Sequence, residues 1–262
     1  SVAIPAQGAG GRMGHNAGNL IHLAYFYPQM AVFDDVIGWS PDHFLGTAEF
    51  YSGFGNYEVT VEAPAGWLVA GTGRLINAEE VLAPAVLERL ALAEQSDTVV
   101  HVVTSAQLDE VTRASSGTQR WTFRADSIRD VAYSLTRESV WDAARTPIGD
   151  RDGDGTVDYA RVDAIYRNTA PLWTELTGYA QHALSFLSEY TGMPYPWPHM
   201  TSVEGAGIIG GGMEFPMITL MGDYTAAGAD ALYSVTAHEF AHMWVPMQVA
   251  TDERRYAWVD EG

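Results

Sequence analysis

The sequence predicts an α+β chain, rich in antiparallel strands at first and helical later, on three observations. Residues 57–63 alternate at the strand period, with Tyr57, Val59 and Val61 on one side and Glu58, Thr60 and Glu62 on the other. Residues 171–190 carry apolar side chains at the helical period, and residues 230–244 also read as a helix. Turn-forming clusters separate the short apolar runs, and there is no internal repeat or low-complexity tract.

Taken in order, residues 67–71, 98–104 and 119–125 read as further strands, with Pro64-Ala65-Gly66 and Ser115-Ser116-Gly117 as turns. Residues 85–94 read equally as a short helix or a loop. The texture changes after about Ser127, so residues 1–126 and 127–262 are expected to be separate domain portions. In the 171–190 helix, Leu172, Trp173, Leu176, Ala180, Ala183, Leu184 and Leu187 form the apolar face, Pro171 suits the first turn and Gly192 the end. The run PYPWPH then breaks the helix. Residues 201–204 and 217–220 read as strands on either side of a glycine loop at 210–212. The 230–244 helix stops before Pro246.

Composition narrows the chemistry. The net charge is -19, from 33 acidic and 14 basic residues, and every basic residue is arginine. Such a field repels nucleic acid and attracts cationic groups such as a peptide's ammonium terminus. With no cysteine, any metal must be held by histidine and carboxylate. No apolar run reaches the roughly 18 residues of a membrane span, which reads as a soluble segment without a transmembrane helix. Compartment is not legible, with a slight lean to the periplasm or the extracellular space. Both ends, SVAIPAQGAGG and DEG, read as cut from a longer protein.

The central motif is HEFAH, residues 238–242. Residues four apart on a helix share a face, so His238 and His242 can converge on one Zn²⁺. Glu239, one position round, is placed to act on a metal-activated water as general base. A catalytic zinc takes three protein ligands and one open position. Glu261, within WVDEG and 18 intervening residues beyond His242, fits as the third if a loop and a second helix carry it back.

These residues resemble the aminopeptidase N-like zinc metallopeptidases of the gluzincin clan, which combine HExxH with a glutamate 18 residues on in a W-x-x-E-G signature, here Trp258 to Gly262. A second motif of that family, G-x-M-E-N, is matched by Gly211, Gly212, Met213 and Glu214, with Phe215 in place of asparagine. The resemblance implies a substrate-binding strand edge at Gly211–Glu214, with Glu214 binding the free α-ammonium of a peptide substrate. It implies a fold in which residues 1–126 are the C-terminal part of an N-terminal β domain. Residues 127–262 are then the N-terminal part of a thermolysin-like catalytic domain. Residues 25–35, YFYPQMAVFDD, resemble the segment that closes the β domain over the cleft, and FRADSIRDVAY, from Phe123, the start of the catalytic domain. The family's oxyanion-stabilising tyrosine would fall beyond Gly262, so residues 1–262 alone are expected to turn over poorly.

The activity implied is release of N-terminal residues. The open alternatives are a gluzincin endopeptidase or other zinc hydrolase, and a non-catalytic peptidase-like binding protein. A second ion site is suggested by DRDGDGTVD, residues 150–158: Asp150, Asp152, Asp154 and Asp158 match the opening of a calcium loop. Arg161 occupies the twelfth position, where a bidentate glutamate belongs. An Asp/Gly-rich surface turn is the favoured reading of the run, and Ca²⁺ there would be structural.

Overall fold

A computed structural model describes residues 3–6, 12–16, 18–43 and 50–262; the opening SVAIPAQGAGG lies largely outside them. The fold is α+β, as the alternation and the helical spacing predict. The amphipathic segment forms the strand Gly55–Pro64, half-buried residues alternating with exposed ones, paired antiparallel with Thr118–Ile128. Arg74–Leu75 completes this three-stranded sheet. A four-stranded antiparallel sheet joins Gly14–Asn16, Leu20–Leu23, Tyr133–Thr136 and Leu68–Gly71 in that order.

The third sheet positions the candidate site. Its six strands run Gly212–Phe215, Ile218–Met221, His199–Glu204, Asp158–Arg167, Ser139–Gly149 and Val100–Val103. The two central pairings are parallel and the other three antiparallel, which leaves Gly212–Phe215 as an edge strand. Two sheets combine strands from before and after residue 126.

The ambiguous 85–94 segment lies in a helix, Pro84–Ala93, with proline at its first turn. The 171–190 segment begins as a 3₁₀ turn, Pro171–Glu175, and becomes α-helical over Leu176–Thr191. Gly192 ends it at φ 67°, the left-handed cap that glycine adopts without a Cβ penalty. This helix packs on the Ser139–Gly149 and Asp158–Arg167 strands and against the second long helix, Ala229–Ala241. The second helix is shorter than its sequence pattern: beyond His242 the chain passes into turns leading to Pro246. A main core runs from Leu20, Trp121 and Tyr133 to Met213, Phe215 and Phe240, and a smaller one gathers Val140, Tyr166, Trp173, Leu176 and Leu232. Among the described residues no helix is long and apolar enough to cross a membrane.

Candidate metal centre

His238 and Glu239 lie in the last turn of the Ala229–Ala241 helix, and His242 is its C-cap. Leu232, Thr236 and Phe240 hold its buried side. The histidine rings stand nearly perpendicular, with centroids 4.6 Å apart and Nε2 atoms 3.1 Å apart. The chain then turns through two short helical segments, Glu253–Tyr256 and Trp258–Glu261. These return Glu261, whose Oε2 is 3.3 Å from His238 Nε2 and 3.9 Å from His242 Nε2. The side chains of His238 and Glu261 are 47% and 54% exposed, so this side of the cluster opens to solvent.

The other groups are buried. Glu239 is 3% exposed and points at the sheet, where Thr219 Oγ1 lies 3.3 Å from its Oε2. The same hydroxyl is 3.1 Å from the Met213 carbonyl, so its single proton serves one acceptor at a time. Burial pushes Glu239 up to about 8. Gly212 faces this carboxylate: a Cβ there would sit 1.9 Å from Glu239 Oε1. The glycine is therefore the space that Glu239 occupies.

Glu214 lies two residues along the same edge strand, 4% exposed and 4.0 Å from His242 Nδ1. Burial raises its pKa well above the carboxylate range; the nearby His242 opposes this and Glu239 adds to it. Met213 is buried in the core, and Gly211 accepts the Gly222 N–H at 2.8 Å. Phe215, where the motif has asparagine, is fully buried against the rings of His22, Tyr25 and Phe50, with centroids 5.4–5.7 Å away. It therefore anchors the strand to the N-terminal part of the chain and offers no hydrogen bond to a bound molecule. The 25–35 segment thus reaches the Glu214 strand through Tyr25.

Asp260, which the sequence reading passed over, accepts a hydrogen bond from His242 Nδ1 at 2.6 Å and is 4% exposed. This fixes the tautomer that presents Nε2 to the cluster, the usual second partner of a metal-bound imidazole. A carboxylate immediately before a third ligand was the signal available. Burial opposes protonation of His242, but its Asp260 hydrogen bond and the charges of Glu214, Asp260 and Glu261 outweigh this and raise it to about 9. His238 is instead lowered, by burial and then by His242. The surroundings that favour a proton between the two Nε2 atoms favour a metal cation there too.

The 150–158 run is the turn between two long strands. Asp150 accepts the N–H groups of Gly153, Asp154 and Gly155, and Asp152 accepts that of Asp154. Asp150, Asp152 and Asp158 offer oxygens within 4.8 Å of one another, but Asp154 turns to Thr156 and stays outside that group. Arg151 lies 3.6 Å from Asp158. The loop's own donors engage its carboxylates, so an Asx-type turn accounts for the composition.

No protein-family model matches the chain, and no match is found among curated proteins. Among solved structures, it is similar to the crystal structure of an M1 zinc metallopeptidase from Deinococcus radiodurans, with a TM-score of 0.53 and 17% identity. The match covers 99% of this chain and 47% of that one, so the chain spans about half the length of the neighbour whose fold it shares.

Proposed function

We propose that this chain carries the zinc-binding and catalytic groups of a metallopeptidase that releases residues from peptide N-termini. The observation that carries the reading is the convergence of His238 Nε2, His242 Nε2 and Glu261 Oε2 beside a buried glutamate that is not part of the trio. Zn²⁺ bonds of 2.0–2.1 Å in a tetrahedron set ligand atoms about 3.3 Å apart. The separations of 3.1, 3.3 and 3.9 Å bracket that value. Two imidazoles and one carboxylate are also a donor set that zinc accepts, with one position left for solvent or substrate. Bound there, the ion would polarise the scissile carbonyl and acidify the attacking water.

The remaining steps belong to the chain. Glu239 takes the proton of the attacking water and passes it to the leaving amine. A raised pKa suits a group that must both accept and return a proton. The free edge of Gly212–Phe215 aligns an extended peptide by main-chain pairing. Glu214 binds the substrate's ammonium in a charge-assisted hydrogen bond, so that the first peptide bond meets the catalytic groups. On this reading residues 1–126 are the C-terminal part of a β domain and residues 127–262 the N-terminal part of a catalytic domain, tied by shared sheets. The M1 zinc metallopeptidase neighbour supports the reading at the level of fold.

Bound-metal analysis with Glu239→Gln tests it. One zinc per chain is expected for both proteins, with hydrolysis of a free peptide falling at least 100-fold in the variant. Equal turnover would remove Glu239 as base, and the absence of stoichiometric zinc would remove the reading. Cleavage of acetylated peptides as fast as free ones would reassign it to an endopeptidase.

A further inference from the structure

A cavity of about 190 Å³ lies where the three sheets meet, and none of its lining residues belongs to the metal cluster. The two smaller sheets give it an apolar and aromatic lining, with Leu68, Leu75, Trp121 and Phe123, and the Pro84–Ala93 helix adds Leu90. The six-stranded sheet supplies polar groups, Arg161, Asp163, His199 and Thr201. Of the residues around the cavity only Arg74 and Glu94 are exposed, so these two mark its mouth.

The carboxylates here are already engaged. Asp163, 1% exposed, accepts from Trp141 Nε1 at 2.8 Å, from Arg161 Nε at 2.9 Å and from Thr201 Oγ1 at 3.2 Å. Glu94 accepts from Arg161 Nη1 at 3.0 Å. His199 donates its Nε2–H to the Gly73 carbonyl at 3.0 Å. Two donors are not engaged. The Trp121 indole N–H is fully buried and has no hydrogen-bond partner among the described residues. The Arg74 guanidinium has no ion pair or hydrogen bond among the described residues. A buried N–H left unpaired costs the fold free energy that a bound acceptor returns. Free donors beside engaged carboxylates call for a ligand that brings oxygens. The volume sets its size, since a cavity of about 150 Å³ admits benzene.

We propose that this cavity binds a small carboxylic acid with an apolar body about one ring in size. The carboxylate oxygens supply the acceptors that Arg74 and Trp121 lack, and the body packs against Leu75, Leu90 and Phe123. The site stands independently of the metal reading.

The probe is 3-phenylpropionate, titrated into the ¹⁵N-labelled chain with the Trp121 indole signal as readout and circular dichroism as the check on folding. A ring-sized acid is expected to move that signal with a Kd of about 1 mM. 3-Phenylpropanol, which keeps the ring and loses the charge, is expected to bind about 5- to 10-fold more weakly, and Arg74→Gln to weaken the acid by the same factor. Leu75→Trp and Leu90→Trp replace half-buried residues on two different elements and fill the cavity, so either one that folds should abolish binding. Phenylalanine as the free amino acid separates the sources of the acid. Binding as tight as that of 3-phenylpropionate supports the site and assigns it to amino acids, whose ammonium Glu94 can meet; weaker binding supports it and assigns it to acids without an ammonium. A Trp121 signal unmoved by 3-phenylpropionate up to about 10 mM would overturn the proposal. So would wild-type affinity in Arg74→Gln, equal binding of 3-phenylpropanol, or undiminished binding in a folded Leu75→Trp or Leu90→Trp.

Discussion

Gly212→Ala tests the proposed catalytic geometry while leaving Glu239 and the three proposed ligands unsubstituted. The added Cβ would lie 1.9 Å from Glu239 Oε1, 2.3 Å from its Cδ and 2.8 Å from its Cγ. The first separation is about 1.5 Å short of ordinary van der Waals contact, so one partner must move. The strand is held: Gly212 pairs with Met221 and the three residues after it continue the ladder. Glu239 is the free end of a side chain, held by one long hydrogen bond that Thr219 divides with Met213. The carboxylate therefore yields. Forcing it off its rotamer costs about 0.5–1.5 kcal/mol, a modest loss of stability. The catalytic cost is larger, because a misplacement of about 1 Å lowers turnover by about 100-fold. A fluorogenic peptide assay normalised to bound zinc, with urea denaturation alongside, should show that contrast. Turnover per zinc within twofold of wild type would refute the reasoning, and so would loss of zinc in step with activity, since the three atoms nearest the added Cβ all belong to Glu239, which is outside the His238, His242 and Glu261 trio.

Glu214→Ala should slow cleavage of peptides with free N-termini by about 10-fold or more, one charge-assisted hydrogen bond at roughly 1.5–3 kcal/mol, while zinc content stays at wild type; unchanged kcat/KM for such peptides would exclude the ammonium anchor. His22, fully buried with Nδ1 2.7 Å from Ser134 Oγ, has its pKa lowered by burial to about 3. The folded value lies below the unfolded one near 6.5. Stability is therefore complete above pH 6.5 and declines as pH falls toward 3, by roughly 4–5 kcal/mol at the lower end. Urea midpoints across this range should show a shallower pH dependence in His22→Gln, and an unaltered dependence would mean that other groups set the acid limit.

What could be read ahead of the structure was what lies close along the chain or repeats at a fixed period. His238 and His242 are one helical turn apart, so their convergence follows from local geometry alone. The strand around Tyr57 to Val61 has one face half-buried and one exposed, and its side chains record that alternation. The long hairpin of Ser139–Gly149 and Asp158–Arg167 escaped because both strands are buried on both faces over much of their length, which erases the period. Its interior polar groups also mislead: Asp163 is bonded to Trp141 and Arg161, and Asp142 to Tyr166, partners that only the folded sheet supplies. Gly212 is legible as part of a motif, but its role as the space for Glu239, like the part played by Asp260, escaped for a related reason. The first is a glycine because of a glutamate on a later helix, and the second matters because of a histidine 18 positions earlier.

The electrostatics of the centre run against folding and toward binding. Glu214, Glu239 and Glu253 are each buried enough to raise their pKa, and Asp260 and Glu261 add negative charge to the same small volume of a chain already at -19. Such crowding is destabilising unless positive charge enters, so each carboxylate that ionises raises the affinity of the trio for a dication. The distribution is also directional. His238 and Glu261 stand half in solvent, whereas Glu239, Glu214 and Asp260 are nearly closed off beneath them. A cationic or polarised group approaching from the open side meets His238 and Glu261 first and the carboxylates of Glu239 and Glu214 next. On the proposed reading, this order would let an ammonium terminus reach Glu214 while Glu239 stays shielded from bulk water.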